Sequence, residues 1–130
     1  MEISGLDHVN IVTADLAGTV AFYQAALAMA ELPAPAMSPD YVVRWLGDAA
    51  GRPILHVQQF NADRHSAGLV GQPTGSIDHV ALQCPDFPGM VARCTDLGLD
   101  FSTLEFEGLT FRQIVLTDPN GIRLELNFPD

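Results

Sequence analysis

Leu6-Asp7-His8-Val9-Asn10-Ile11 returns later in the chain as Ile77-Asp78-His79-Val80-Ala81-Leu82, 71 positions on. The same offset matches Asp15 with Asp86, Gly18 with Gly89, Val20 with Val91 and Ala21 with Ala92. A second match closes each half: Trp45-Leu46-Gly47-Asp48-Ala49-Ala50-Gly51 lies against Val115-Leu116-Thr117-Asp118-Pro119-Asn120-Gly121. One extra residue then intervenes in the first half, and Leu55-His56-Val57-Gln58 falls on Leu124-Glu125-Leu126-Asn127. Such a repeat is one structural unit copied, and each copy is too short to bury its own apolar face. The reading is one domain made of a first module over residues 1–60, a linker over 61–75 and a second module over 76–130. The linker is rich in Gly, Asp, Ser and Gln and poor in large apolar residues.

Within each half the elements follow from residue type. His8 to Val12 and His79 to Gln83 are short runs of branched residues, read as strands. Asp15 and Asp86 stand where a helix N-cap is needed, before the apolar positions Val20, Phe22, Tyr23 and Leu27 and before Met90, Val91, Cys94 and Leu97. Pro88 fits a first turn, and Leu97-Gly98 reads as a helix end. Phe101 to Phe106 and Leu109 to Leu116 read as strands joined at Glu107-Gly108. Asp118-Pro119-Asn120-Gly121 is a turn, and Arg123 to Phe128 is the last strand. The stretch Pro33 to Pro39, with three prolines, is an irregular loop. Strand, helix and three strands, twice over, make an α+β fold of two βαβββ modules with helices on one face of antiparallel-rich sheets.

Composition narrows the function. Six arginines and no lysine face sixteen acidic residues, for a net charge of −10, which repels a nucleic-acid backbone. The apolar fraction is 48% and mean hydropathy is +0.18, yet no apolar run approaches the ~20 residues of a membrane span. Met1-Glu2-Ile3-Ser4 lacks the basic start of a secretory signal, so a cytoplasmic location is expected. Cys84 and Cys94 read as reduced core thiols rather than a disulfide.

Alternation within strands selects the chemistry. Val9, Ile11, Val80, Leu82, Leu124, Leu126 and Phe128 form the apolar sets that pack under helices. His8, His79, His56 and Glu125 are left on the opposite faces, at equivalent places in the two halves. All four are ligand types for Fe, Mn, Ni, Zn or Co, and two His with one carboxylate is a common catalytic divalent set. One divalent ion is therefore expected, held by His8, His79 and Glu125, with His56 as a fourth ligand or a neighbouring acid/base. Asn10, Gln58 and Asn127 lie two residues from these positions and are candidates for orienting substrate oxygens. Arg44 and Arg112, on third strands, are candidates for holding a carboxylate or phosphate. Asp7 and Asp78 face away by the same alternation and read as structural. Tyr41 and Trp45 are candidates to line an apolar or aromatic pocket, with core packing the default for Trp45, and His65, in the linker, reads as solvated.

The run Leu6-Asp7-His8-Val9, Asp15-Leu16, Ala21-Phe22-Tyr23 and Leu27, with Asp118-Pro119-Asn120-Gly121 and Leu124-Glu125-Leu126, resembles the vicinal oxygen chelate superfamily over nearly the whole chain. That superfamily includes glyoxalase I, methylmalonyl-CoA epimerase, fosfomycin-resistance transferases, extradiol dioxygenases and bleomycin-binding proteins. The resemblance implies two modules forming one open, barrel-like mixed sheet around a metal, a small-molecule substrate and a homodimer. It carries ligand roles to His8, His79 and Glu125. His56 departs from the Glu of glyoxalase I and the Gln of the epimerase, and Ala28 stands where the family often has Gly. The implied activity is a glyoxalase-like lyase or isomerase that chelates neighbouring substrate oxygens and stabilises an enediolate, with Glu125 or His56 as base. Four protein ligands favour that chemistry. Three would leave room for a catechol and O₂ on Fe(II), an extradiol dioxygenase, although the second half has no Tyr. A non-enzymatic antibiotic-binding role is the third reading. The sequence leaves open whether the site closes within one chain or across a dimer.

Overall fold

A computed structural model describes residues 1–35, 39–105, 108 and 111–129 of the chain, Phe111 by its backbone. It divides into two compact units, Met1–Val70 and Gly71–Asp130. The first carries β1 (Val9–Thr13), α1 (Leu16–Leu27), β2 (Ala30–Leu32), β3 (Val43–Gly47) and β4 (Leu55–Gln59). The second carries β5 (Val80–Gln83), α2 (Phe87–Asp96), β6 (Phe101–Glu105), β7 (Phe111–Thr117) and β8 (Arg123–Pro129). The βαβββ order expected from the repeat is present twice. Parts of four expected features fall outside the described residues: Ala36, Met37 and Ser38 of the proline loop, Phe106 of one strand, Glu107 of the turn, and Leu109 and Thr110 of the next strand.

Each unit holds a four-stranded mixed sheet, in the order β1-β4-β3-β2 and β5-β8-β7-β6. The first and last strands of a unit run parallel, and the remaining pairs are antiparallel. A parallel pair needs a long crossover, which the helix and the intervening strands supply. Alternation then separates the faces. Leu55 and Val57 are buried on one side of β4, against α1, and Leu124, Leu126 and Phe128 on one side of β8. Tyr23 (1% exposed) and Cys94 (0%) seal the helix side in the two units, and Phe87 packs edge-on against Phe128 at 5.3 Å.

The repeated aspartates and glycines have one local cause. Asp15 accepts a hydrogen bond from the Gly18 N–H at 2.9 Å, and Asp86 one from the Gly89 N–H at 3.0 Å. Each carboxylate satisfies a donor the helix start leaves unpaired. It lies so close over the third helical residue that a Cβ there would collide with its oxygens. The two turns are also copies. Asp48 Oδ1 accepts from the backbone N–H of Ala50 and Arg52, and Asp118 Oδ1 from those of Asn120 and Ile122.

Two boundaries shift. β1 and β5 begin at Val9 and Val80, so His8 and His79 stand one residue ahead of their strands. Residues 61–70, read as linker, lie with the first unit: Asn61 bonds the Asp40 carbonyl and Arg64 stacks over Tyr41 at 4.5 Å. His65 is half-buried there rather than solvated, its Nδ1 accepting the Asn61 N–H.

Helix α1 ends at Ala28 with φ 52° and ψ 30°, a left-handed conformation that in α2 falls to Gly98. A Cβ is disfavoured there by ~1 kcal/mol or more. Ala28→Gly is therefore expected to stabilise the chain by roughly 0.5–1 kcal/mol, after the added unfolded-state entropy is subtracted. Urea unfolding measures it, and a lower midpoint would refute this account of the cap.

Candidate metal centre

In the first unit the parallel register sets Asn10 beside His56, and the antiparallel register sets Trp45 on its other side. The His8 ring stacks on the His56 ring with centroids 3.8 Å apart and planes 16° from parallel. The Trp45 ring stacks on His56 as well, at 4.6 Å and 9°. Trp45 is thus a wall of the site rather than core, because its strand parity matches that of His56. The Asn10 side-chain N–H donates to Gln58 Oε1 at 3.1 Å, so the two candidate substrate amides hold each other. Burial pushes the His56 imidazole below its ordinary 6.5, and the neighbouring His8 adds to this, against the opposing effects of the Pro53 carbonyl and Asp7.

In the second unit Glu125 lies between Ala81 of β5 and Val115 of β7. Its Oε2 stands 3.5 Å from His79 Nε2. Its Oε1 is gripped by the Gln113 side-chain N–H at 2.7 Å and the Asn127 side-chain N–H at 3.2 Å. Gln113 donates its other N–H to Asn127 Oδ1 at 2.7 Å. That pair fixes the Gln113 amide, since the flipped orientation would set oxygen against oxygen.

The two aspartates read as structural each hydrogen-bond the candidate histidine beside them. His8 Nδ1 donates to Asp7 Oδ1 at 2.6 Å and His79 Nδ1 donates to Asp78 Oδ2 at 2.7 Å. Both dipeptides precede their strands, so alternation does not turn the aspartates away. The His79 N–H, and then Arg123 at 3.7 Å, hold the Asp78 carboxyl below the usual range. A carboxylate on Nδ1 fixes the tautomer and leaves Nε2 as the donor atom, the usual outer-shell arrangement of a metal-bound histidine. The doubled Asp-His dipeptide carried that signal in the sequence. Gln113 was missed because nothing opposite it in the first unit repeats it: the equivalent residue is Val43.

The arginines go elsewhere. Arg44 sits opposite Val57, on the helix-side parity of its sheet, and pairs with Glu31 at 3.0 Å. Arg112 sits opposite Phe128 and stacks over the Phe87 ring at 4.4 Å. Within its own sheet Arg44 does not share the face of His56, nor Arg112 that of Glu125, so the structure does not bring these two candidates to the donor pairs. Among the described residues no group of three or more His, Cys, Asp or Glu is gathered that could hold a metal ion. Each unit by itself offers a pair: His8 with His56, and His79 with Glu125.

Two βαβββ units with donor pairs at equivalent positions define a vicinal oxygen chelate architecture. Residues 5–126 match the model of the Glyoxalase/Bleomycin resistance protein/Dioxygenase superfamily, and the chain belongs to that superfamily. Among solved structures, it is similar to a glyoxylase/bleomycin resistance protein/dioxygenase domain from Frankia sp. EAN1pec, with 17% identity and TM-score 0.76 over 99% of this chain and 100% of that one. It is similar also to the fosfomycin resistance protein FosX from Listeria monocytogenes, with 20% identity and TM-score 0.71 over 99% and 94%. A complex of that protein with Mn(II) and sulfate gives 19% identity and TM-score 0.70 over 99% and 95%. Comparison with curated proteins yields no significant match. No helix among the described residues is long and apolar enough to cross a membrane.

The lowered His56 value has a thermodynamic signature. The unfolded imidazole takes its proton near 6.5 and the folded one only at lower pH. The stability from keeping His56 neutral is present above 6.5 and is lost as pH falls below it. Proton NMR of the metal-free protein is expected to show a His56 midpoint below 6.5; a midpoint at or above 6.5 would contradict the half-buried position of its ring.

Proposed function

We propose that the chain is a divalent-metal-dependent lyase or isomerase acting on a small oxygen-rich substrate, with His8, His79 and Glu125 holding the ion and His56 as fourth donor. The observation that carries this is the pair of Asp-His dyads, each committing Nδ1 to a carboxylate and leaving Nε2 as the donor. The donor set suits Fe, Mn, Ni, Zn or Co. Three nitrogens and one carboxylate, their partners already satisfied, fit such an ion on chemical grounds. The site would take one pair from each unit, within a chain or across a homodimer. Its two free thiols, Cys84 and Cys94, suit a reducing cytoplasm.

When bound, the ion supplies Lewis-acid stabilisation of charge developing on neighbouring substrate oxygens. The remaining work falls to side chains. Glu125 is pinned through Oε1 by Gln113 and Asn127, which makes it a fixed group. His56 is held by ring stacking and the Pro53 carbonyl, and burial pushes its imidazole below the ordinary value, which favours the neutral form. Released from the ion, it or Glu125 would be the group suited to take a proton from carbon beside a carbonyl and to return it. Trp45 and His8 cover both faces of its ring and limit the approach of water.

Metal analysis of protein purified without chelator or histidine tag tests the reading. About one ion per chain is expected, lost in His79→Ala and Glu125→Ala and weakened in His56→Ala, while Asp78→Asn costs about 10–100-fold in affinity. Full retention in His56→Ala would move the assignment toward a ring-cleaving dioxygenase. An ion-free wild type after anaerobic reconstitution would leave a small-molecule-binding protein.

A further inference from the structure

The two donor pairs are not equally ready to hold an ion. In the second unit His79 Nε2 and Glu125 Oε2 stand 3.5 Å apart. Two donors bonded at roughly 2.0–2.1 Å to one tetrahedral ion are separated by about 3.4 Å, so this pair closes on an ion nearly as it stands. In the first unit ring stacking sets the spacing instead. The His8 and His56 rings lie 3.8 Å apart, with planes 16° from parallel. An imidazole nitrogen holds its free lone pair in the plane of the ring, so an ion bound to it lies close to that plane. Planes inclined by 16° at rings 3.8 Å apart do not meet within the roughly 2.0–2.1 Å of a metal–nitrogen bond. No single ion lies in both planes, whichever nitrogens are used. Stacked, the pair offers one donor and not two.

The surroundings decide which ring yields. β4 lies between β1 and β3 in the sheet, so His8 and Trp45 take opposite faces of the His56 ring. His56 is paired with Asn10 on one side and Trp45 on the other, and its ring bonds the Pro53 carbonyl. His8 stands one residue ahead of β1, outside the ladder, with its side chain 37% exposed. Its hydrogen-bond partner is Asp7, which is 95% exposed. That bond joins sequence neighbours, so the dyad turns ahead of Val9 without breaking it. His56 has no such freedom.

We propose that His8 has two positions: over the His56 ring in the ion-free protein, and turned off it when the ion is held. The proposal rests on the metal reading above, with His56 as fourth donor. An ion that binds both imidazoles only when they are apart draws the population to the open arrangement. Trp45 stays on the far face and keeps the plane of the His56 ring. One face of that ring is therefore covered while the site is empty and uncovered when it is filled. A single side chain couples ion occupancy to access to His56.

The test is proton NMR of the wild-type protein during a titration with Zn(II), a diamagnetic ion that leaves ring protons visible. Calorimetry counts the ion on the wild type and on His79→Ala. Ion-free protein is expected to show nuclear Overhauser effects from His56 ring protons to both His8 and Trp45. The His8–His56 effect is expected to vanish as Zn(II) reaches one per chain, while the Trp45–His56 effect persists. Absence of the His8–His56 effect before zinc is added would overturn the proposal, as would its loss together with the Trp45–His56 effect. Its retention with one Zn(II) bound, an ion that His79→Ala fails to bind, would overturn the proposal and leave the metal reading standing with His56 outside the donor set. Failure of the wild type to bind Zn(II) would overturn the metal reading and this device with it.

Discussion

The parallel pairing of first and last strand within each unit is the constraint from which the site follows. It is the pairing that brings the segment carrying an Asp-His dipeptide alongside the strand carrying His56 or Glu125. Parallel neighbours cannot be joined by a tight turn, so everything between them becomes connection. The helix fills that connection and covers one face of the sheet, which forces the polar parity of β1, β4, β5 and β8 onto the other. A donor pair is thus a by-product of how the crossover closes. The capping aspartates and their close-packed glycines fix where each helix starts, and so where each crossover turns.

Much of this was legible in the residues. The repeat gave two βαβββ units, and period-2 alternation put His56 and Glu125 opposite Leu55, Val57, Leu124 and Leu126. The helix caps and the Asp118 turn follow from local chemistry that needs no tertiary context. The failures share a different cause. Alternation was extended one residue past the strands, to Asp7 and Asp78, where it has no force. Strand position alone does not set the facing of Arg44 and Arg112; register does, and it puts each on the face opposite the candidate donor of its sheet. Hydrophobicity alone leaves Trp45 between core and pocket wall, and its register with His56 makes it a stacking partner. Gln113 had no signal, since its importance comes from cross-strand partners that only the register supplies.

The two units are alike in backbone and unlike in electrostatics. The first offers two imidazoles packed ring on ring and backed by an indole. The second offers an imidazole and a carboxylate, and the carboxylate is braced by two amides. The geometry is common to the two units, and one equivalent position, His56 against Glu125, sets their chemistry apart. The nitrogen side is held by stacking, which tolerates sliding. The oxygen side is held by directional hydrogen bonds, which do not.

The stack in the first unit has an optical consequence. Trp45 is the only tryptophan in the chain, and its ring lies 4.6 Å from that of His56. An imidazolium quenches an excited indole by accepting an electron, whereas a neutral imidazole does so poorly. All of the chain's indole emission therefore comes from a fluorophore in contact with one donor side chain. The protonation state of that side chain is written into the brightness of the native protein, with no label attached.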